Sequence, residues 1–304
     1  MARKKSTGDK IFIIINIVIM IIIIGAVLYP FLNSIAISLN DADDTTRGGI
    51  TIFPRIFTMK NYKLIFTNPK IYDAYMITIA RTVIGTITAL FFTAILAYGL
   101  AHNNLKGRTF YMIICIIPMY FGGGLIPTYF LIKALHLTNN FWVYVVPNLV
   151  GIWNMLLMKT YFQGIPISLE ESARIDGANY LTIFFKIILP ISTPIIATIA
   201  LFIGVGQWNS WFDAYIYVSK ESLKPMQNIL LSIISQARYA EQLAQTAGNV
   251  GGTLNVGAIG KGSAVNVRSI TMATMFVTII PIIMVYPFLQ RYFVKGIMIG
   301  SIKG

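Results

Sequence analysis

No charge interrupts residues 11–32, a run dominated by isoleucine. As a helix rising about 1.5 Å per residue, it crosses the roughly 30 Å hydrocarbon core of a bilayer. Arg3, Lys4, Lys5 and Lys10 precede it. A cleaved signal peptide would need a shorter apolar core and a small-residue cleavage site, whereas this run continues through Val27, Leu28, Tyr29, Pro30 and Phe31. The stretch reads as a retained first transmembrane helix with its basic end in the cytoplasm.

Further apolar blocks follow at residues 74–100, 110–132, 141–162, 191–211 and 270–293, giving six predicted spans and an all-α integral membrane protein. Composition agrees: 56% of the 304 residues are hydrophobic and 12% charged, with a mean hydropathy of +0.70, more apolar surface than one soluble core needs. The net charge of +13 lies in the gaps between apolar runs rather than on one clustered face, so it reads as topological and not as a nucleic-acid surface. Lys and Arg divide evenly between the two sets of gaps. The short gaps that would be cytoplasmic favour placing both termini inside, because long loops count little in the positive-inside rule.

Cys115 is the single cysteine and sits in an apolar run, which excludes an intrachain disulfide and a cysteine metal cluster. His102 and His136 lie in different gaps and read as structural, and no metal site is expected. The Gly-rich residues 248–262 lack the spacing of a phosphate-binding loop, with Asn255 where a glycine is needed and Gly262 after Lys261. They read as a flexible linker.

Several spans carry unusual residues. The second is rich in Thr78, Thr82, Gly85, Thr86, Thr88, Thr93 and Gly99, small and hydroxylic side chains that let membrane helices approach closely, so it is expected inside the bundle. Arg81 is its one charge. Its position near the span's end favours snorkelling to the outer headgroups over lining a pathway. Pro118, Gly122, Gly123, Gly124 and Pro127 break the third span, which is tolerated at membrane depth where the freed backbone faces protein or water. Between the first two spans, Phe57 to Tyr62 suggest a short surface helix begun by Thr58. Residues 40–72 and 213–269 read as external polar segments. The few carboxylates within the spans argue against coupling to a proton or sodium gradient.

The densest signal is residues 164–194, GIPISLEESARIDGANYLTIFFKIILPISTP, between spans four and five. Ser168 and Glu171 have capping-box spacing. Glu170 and Glu171 fall in the first turn, where the helix dipole favours negative charge, and Glu170 can pair with Arg174 at i,i+4. Gly177 permits a sharp change of direction, and a second amphipathic piece from Tyr180 is ended by Pro190. On physical grounds this helix pair is either an interfacial cover or a knob that docks into another protein and transmits its movement.

The same residues resemble a known family. Glu171-Ser172-Ala173, three residues, Gly177, nine residues, then Ile187-Ile188-Leu189-Pro190 is similar to the EAA signature of ATP-binding-cassette (ABC) importer permeases, with Ser172 replacing one small alanine. Arg174-Ile175-Asp176-Gly177-Ala178 resembles the version found in carbohydrate importers. PRIFTMKNYKLIF at 54–66, GGLIPTYF at 123–130, GQWNSWFDAY at 206–215 and YPFLQRYFVKGIMIGSIKG at 286–304 extend the resemblance to the second permease of maltose-type importers. The nearest likeness is to the subgroup for complex or polysaccharide-derived sugars.

The resemblance implies the type I importer permease fold: a basic N-terminus (1–10), a six-span domain (11–294) and a cytoplasmic tail (295–304) in a bacterial cytoplasmic membrane. The implied partners are a homologous second permease, two cytoplasmic ATPase subunits that bind ATP and magnesium, and an extracytoplasmic sugar-binding protein. This chain itself would be neither an enzyme nor a cofactor carrier. Glu170, Glu171, Ser172, Ala173, Asp176, Gly177, Leu189 and Pro190 would form the coupling motif. Gly300, Ser301, Ile302, Lys303 and Gly304 would reach the ATPase interface.

For the sugar, Gln207, Trp208, Asn209, Trp211 and Tyr215 offer amides and aromatic faces, although Trp and Tyr also form the interfacial belt. Asn148 and Asn154 are lesser candidates. In maltose-type importers the first permease carries most substrate contacts. The residues alone leave a non-sugar ABC cargo or a non-transporting membrane scaffold open.

Overall fold

A computed structural model describes residues 6–246 and 266–301, and the Gly-rich residues 248–262 lie outside these. The elements in chain order are α1 (Thr7–Ser38), α2 (Ala42–Thr46), α3 (Lys60–Thr67), α4 (Pro69–Ala101), α5 (Arg108–Tyr120) and α6 (Leu125–Ala134), then the 3-10 turns Phe141–Tyr144 and Val146–Asn148, and α7 (Ile152–Gln163). There follow α8 (Ser168–Ile175), α9 (Tyr180–Ile183), a π-type turn Phe184–Ile188, α10 (Leu189–Ile191), α11 (Thr193–Asn209), α12 (Phe212–Tyr217), a 3-10 turn Glu221–Leu223, α13 (Met226–Thr246) and α14 (Val267–Ser301). Among the described residues there is no strand, only an isolated bridge between Asn40 and Phe57.

α1, α4 and the Val267–Pro287 part of α14 are each long and apolar enough to cross a membrane. Three further helix pairs qualify only together, with bends of 117° between α5 and α6, 45° between Phe141–Asn148 and α7, and 84° between Tyr180–Ile191 and α11, so the spans number up to six. The sharpest bend falls at the predicted glycine break, where Gly124 takes a φ of 82°.

Two compact units divide the chain: Met1–Pro69 with Ser232–Thr278, and Lys70–Leu231 with Ile279–Gly304. In the first, residues 40–68 of the predicted external segment are organised around a buried asparagine, and residues 69–72 already belong to α4. Asn40 is fully buried. It donates to Asp44 Oδ2 at 2.9 Å and Thr45 Oγ1 at 3.1 Å and accepts from the Ile56 amide at 2.9 Å. Arg55 adds an ion pair to Asp44 at 2.9 Å. The Asn40 hydrogen bond, against the opposing pull of desolvation, and then Arg55 hold the Asp44 carboxyl below its ordinary range. Thr58 does not begin the next helix as the sequence suggested. Its hydroxyl accepts from the Lys60 amide, and α3 runs on to Thr67.

In the second unit α4 is the central rod. Its buried positions, Ile71, Ala74, Thr78, Arg81, Gly85, Ala89, Thr93, Ala97 and Leu100 among them, repeat every three or four residues, so one face of small side chains packs inward as the composition predicted. Gly85 marks the closest approach: a Cβ there would stand 2.9 Å from Gln207 Nε2 on α11. Towards the other end, Tyr98, Met155, Met158, Phe162, Ala173, Ile183, Phe184 and Ile188 form one buried cluster joining α4, α7, α8 and the Tyr180–Ile188 segment.

Candidate functional site

The EAA-like residues build a helix that is half anchored and half presented. α8 starts one position earlier than the capping box requires: Ile167 is the cap, Ser168 is the first helical residue, and no side chain caps the end. Pro166 causes this. Its carbonyl accepts from Leu169 N and that of Ile167 from Glu170 N and Glu171 N, so the turn is already closed when Ser168 arrives. Ala173 is buried in the core cluster. Glu170 turns the same way and is only 14% exposed at its side chain, 2.8 Å from His102 Nε2 and 3.7 Å from Arg174 Nη2.

Glu171, Ser172, Asp176 and Gly177 are exposed on the other face. Gly177 takes a φ of 81°, the left-handed conformation that makes the predicted change of direction inexpensive for glycine. After it, Asn179 caps α9 by accepting from Thr182 N at 2.8 Å. The helix does not stop at Pro190. Proline occupies the first turn of α10, which ends at Ile191, and the chain bends at Ser192. Proline has no N–H to satisfy, and in the first turn of a helix that donor has no intrahelical acceptor to lose. Ile188 is buried, Leu189 half-buried and Pro190 exposed. Behind α8, a groove of about 550 Å³ is lined by Tyr98, His102, Lys106, Arg174, Tyr180 and Phe184.

A second polar cluster lies farther along α4, about 31 Å from His102 at 1.5 Å per residue. Arg81 does not snorkel: it is 1% exposed. Its guanidinium meets Gln207 Oε1 through Nε at 3.2 Å and Nη2 at 3.0 Å, the Ser210 carbonyl and Asp213 Oδ1 through Nη1, both at 3.2 Å, and Asp213 Oδ2 through Nη2 at 2.6 Å. These five bonds match the five N–H donors of arginine. The Tyr144 ring lies 4.3 Å beneath the guanidinium carbon. Gln207 Nε2 donates to the Tyr144 carbonyl at 3.2 Å, and Asp213 also accepts from Ser210 Oγ and the Ala214 amide. One arginine thus ties α4 to the ends of α11 and α12 and to the Phe141–Tyr144 turn.

No protein-family model matches the chain. It is 37% identical over 275 residues to the polygalacturonan/rhamnogalacturonan transport system permease protein YtcP of Bacillus subtilis, covering 90% of this chain and 92% of that one. Protein LplC of the same organism is 36% identical over 99% of this chain and 97% of its own length. The crystal structure of a bacterial ABC transporter involved in the import of the acidic polysaccharide alginate contains a chain with the same fold, at a TM-score of 0.84 and 29% identity, covering 96% of this chain and all of that one. The chain belongs to the carbohydrate ABC-transporter permeases.

In this permease the predicted sugar residues separate. Gln207 and Trp208 are buried, Gln207 in the arginine cluster and Trp208 edge-on to Tyr75 at 6.5 Å. Asn209, Trp211 and Tyr215 are exposed, with the Trp211 and Tyr215 rings 6.1 Å apart and Asn209 accepting from Gln227. Asn148 donates to the Tyr144 carbonyl, and Asn154 packs against Gly151. Gly300 and Ser301 lie in α14, whereas Ile302, Lys303 and Gly304 fall outside the described residues. Among the described residues no group of three or more His, Cys, Asp or Glu is placed to hold a metal ion. Sequence reasoning missed His102 and Asp213. A lone histidine just past a span carries no motif, and Asp213 belongs to a string otherwise read for its aromatic residues.

Proposed function

We propose that the permease is the membrane-spanning subunit of an ATP-driven importer that takes up an oligosaccharide or polysaccharide-derived sugar. Six spans cross a bacterial cytoplasmic membrane with both termini inside. A homologous permease completes the pathway, a binding protein delivers the sugar from outside, and two cytoplasmic ATPase subunits carry ATP and magnesium. The observation that carries this reading is the division of α8: Ala173 and Glu170 face the protein's own core while Glu171, Ser172, Asp176 and Gly177 stand clear of it. A cover would hide its motif residues, whereas a coupling helix must offer them to a partner.

ATP binding closes the ATPase dimer and draws two such helices together. Because packed spans move as rigid elements, the pathway is switched between inward-open and outward-open states, and hydrolysis resets it. The acidic edge of α8 suits a basic cleft. On the external side, Asn209, Trp211 and Tyr215 present an amide and two ring faces suited to a sugar, and residues 300–304 are assigned to ATPase contact by the same family resemblance.

Glu171→Lys tests the docking. The variant is expected to insert in the membrane at normal levels, lose co-purification with the ATPase and lose ATP-driven uptake; normal uptake would defeat the assignment. The cargo is tested by screening the binding protein encoded alongside the permease against galacturonate-containing, alginate-derived and neutral oligosaccharides. Binding confined to peptides would overturn the sugar assignment.

A further inference from the structure

The coupling helix must be fastened to something that moves. α8 is short, and the chain on either side of it turns at Pro166 and Gly177. The best defined polar link from it into the span bundle is His102, the residue immediately after α4.

His102 Nδ1 lies 2.9 Å from the Tyr98 carbonyl, one turn back in α4, and Nε2 lies 2.8 Å from Glu170 Oε2. The ring is thus held at both nitrogens, by the α4 backbone on one side and by the Glu170 carboxyl on the other, and so bridges the end of α4 and α8. The imidazole cannot rotate freely, because the Tyr98 ring meets it edge-on at 4.6 Å and the Tyr180 ring at 5.8 Å. Glu170 is steadied in turn by Arg174 at 3.7 Å, whose guanidinium lies 4.4 Å from the Tyr180 ring centroid. Beneath this shell the buried Ala173 belongs to the same apolar cluster as Tyr98.

Resting on the coupling role of α8 proposed above, we propose that His102 is a positioning residue for transport: it fastens α8 to the end of α4. Displacement of α8 is thereby delivered to the rod that Arg81 joins to α11 and α12. Without the link, α8 still offers Glu171 and Asp176 to the ATPase, but its movement is dissipated in the loops that flank it.

The test uses the full importer reconstituted in proteoliposomes, with uptake and ATP hydrolysis measured together. His102→Ala is expected to co-purify with the ATPase at normal stoichiometry and retain basal hydrolysis, while sugar moved per ATP falls about tenfold, inside the 5–150-fold range ordinary for coupling energies. His102→Gln, which can still donate to Glu170, is expected to recover most of the loss. An unchanged ratio in His102→Ala would overturn the proposal.

A second measurement covers the case in which the alanine variant fails to assemble. In a Cys115→Ala background, His102→Cys combined with Glu170→Cys is expected to be uncoupled, and bridging the two thiols with a short reducible bifunctional reagent restores uptake until reduction removes it. Bridging that leaves uptake unchanged or abolishes it would overturn the proposal. If Glu171→Lys is silent, the coupling assignment itself fails; if Glu171→Lys abolishes uptake while the His102 variants are silent, only the fastening fails.

Discussion

Two places on α4, Arg81 well inside the helix and His102 just past its end, solve the problem of a charge at a helix contact in opposite ways. Around Arg81 the donors are matched, the side chain is 1% exposed, and its partners come from three other elements. Around His102 the side chain is 22% exposed, its partner Glu170 belongs to one short helix, and exposed carboxylates stand nearby on that helix. The first is a fixed joint, in which removing either charge leaves the other largely buried and unpaired. The second can be loaded from outside, because its outward face is free for another subunit. Under the coupling proposed above, α4 would need both: a joint that does not yield at Arg81 and an end that can be pushed at His102.

This contrast can be broken most forcefully at the fixed joint. Arg81→Met leaves Asp213 largely buried without its cation and is expected to cost about 3–5 kcal/mol, seen as a collapse in the yield and thermal stability of detergent-solubilised protein; Arg81→Met with Asp213→Leu should recover much of the loss, since an apolar pair can replace a buried ion pair. A stable single variant would mean the cluster is not a joint. Gly85→Ala comes next. Its Cβ would press on Gln207, whose amide oxygen is held by Arg81, and a cost of about 1–3 kcal/mol in the same melt is expected.

At the loaded end, Glu170→Ala should shift stability by less than about 1 kcal/mol, because the link is partly solvated, yet reduce uptake to the level of His102→Ala. A large loss of stability with normal coupling would erase the distinction between the two places. The smallest effect is expected at Tyr215, which is 65% exposed: Tyr215→Ala should leave stability within about 0.5 kcal/mol and raise only the sugar concentration needed for half-maximal uptake.

Much of this was legible in the sequence because membrane helices are written in long apolar runs. The predicted breaks at Gly122–Gly124 and the turn at Gly177 also follow from local backbone chemistry, and both appear as bends or positive φ values. Arg81 was misjudged by treating its charge in isolation. It falls on the same three-to-four spacing as Thr78, Gly85 and Ala89, a face of small residues that packs inward, and that register pointed to burial. Gln207 was legible as polar but not as structural, since its partner is 126 positions away. The capping box failed for a local reason, as Pro166 and Ile167 closed the first turn before Ser168. His102 was illegible: its partner is 68 positions away in another gap, and no periodicity links them.

The most direct test of the account follows one distance through the transport cycle. With Cys115 replaced by alanine, spin labels at the exposed positions Asn104 and Ile175 report the separation between the end of α4 and α8 in the assembled importer, first without nucleotide and then with the ATPase trapped in its ATP-bound state. The account predicts the same distance distribution in both states, because the two elements travel as one body. A shift approaching one helical turn, about 5 Å, would show that α8 slides past α4 and would contradict it.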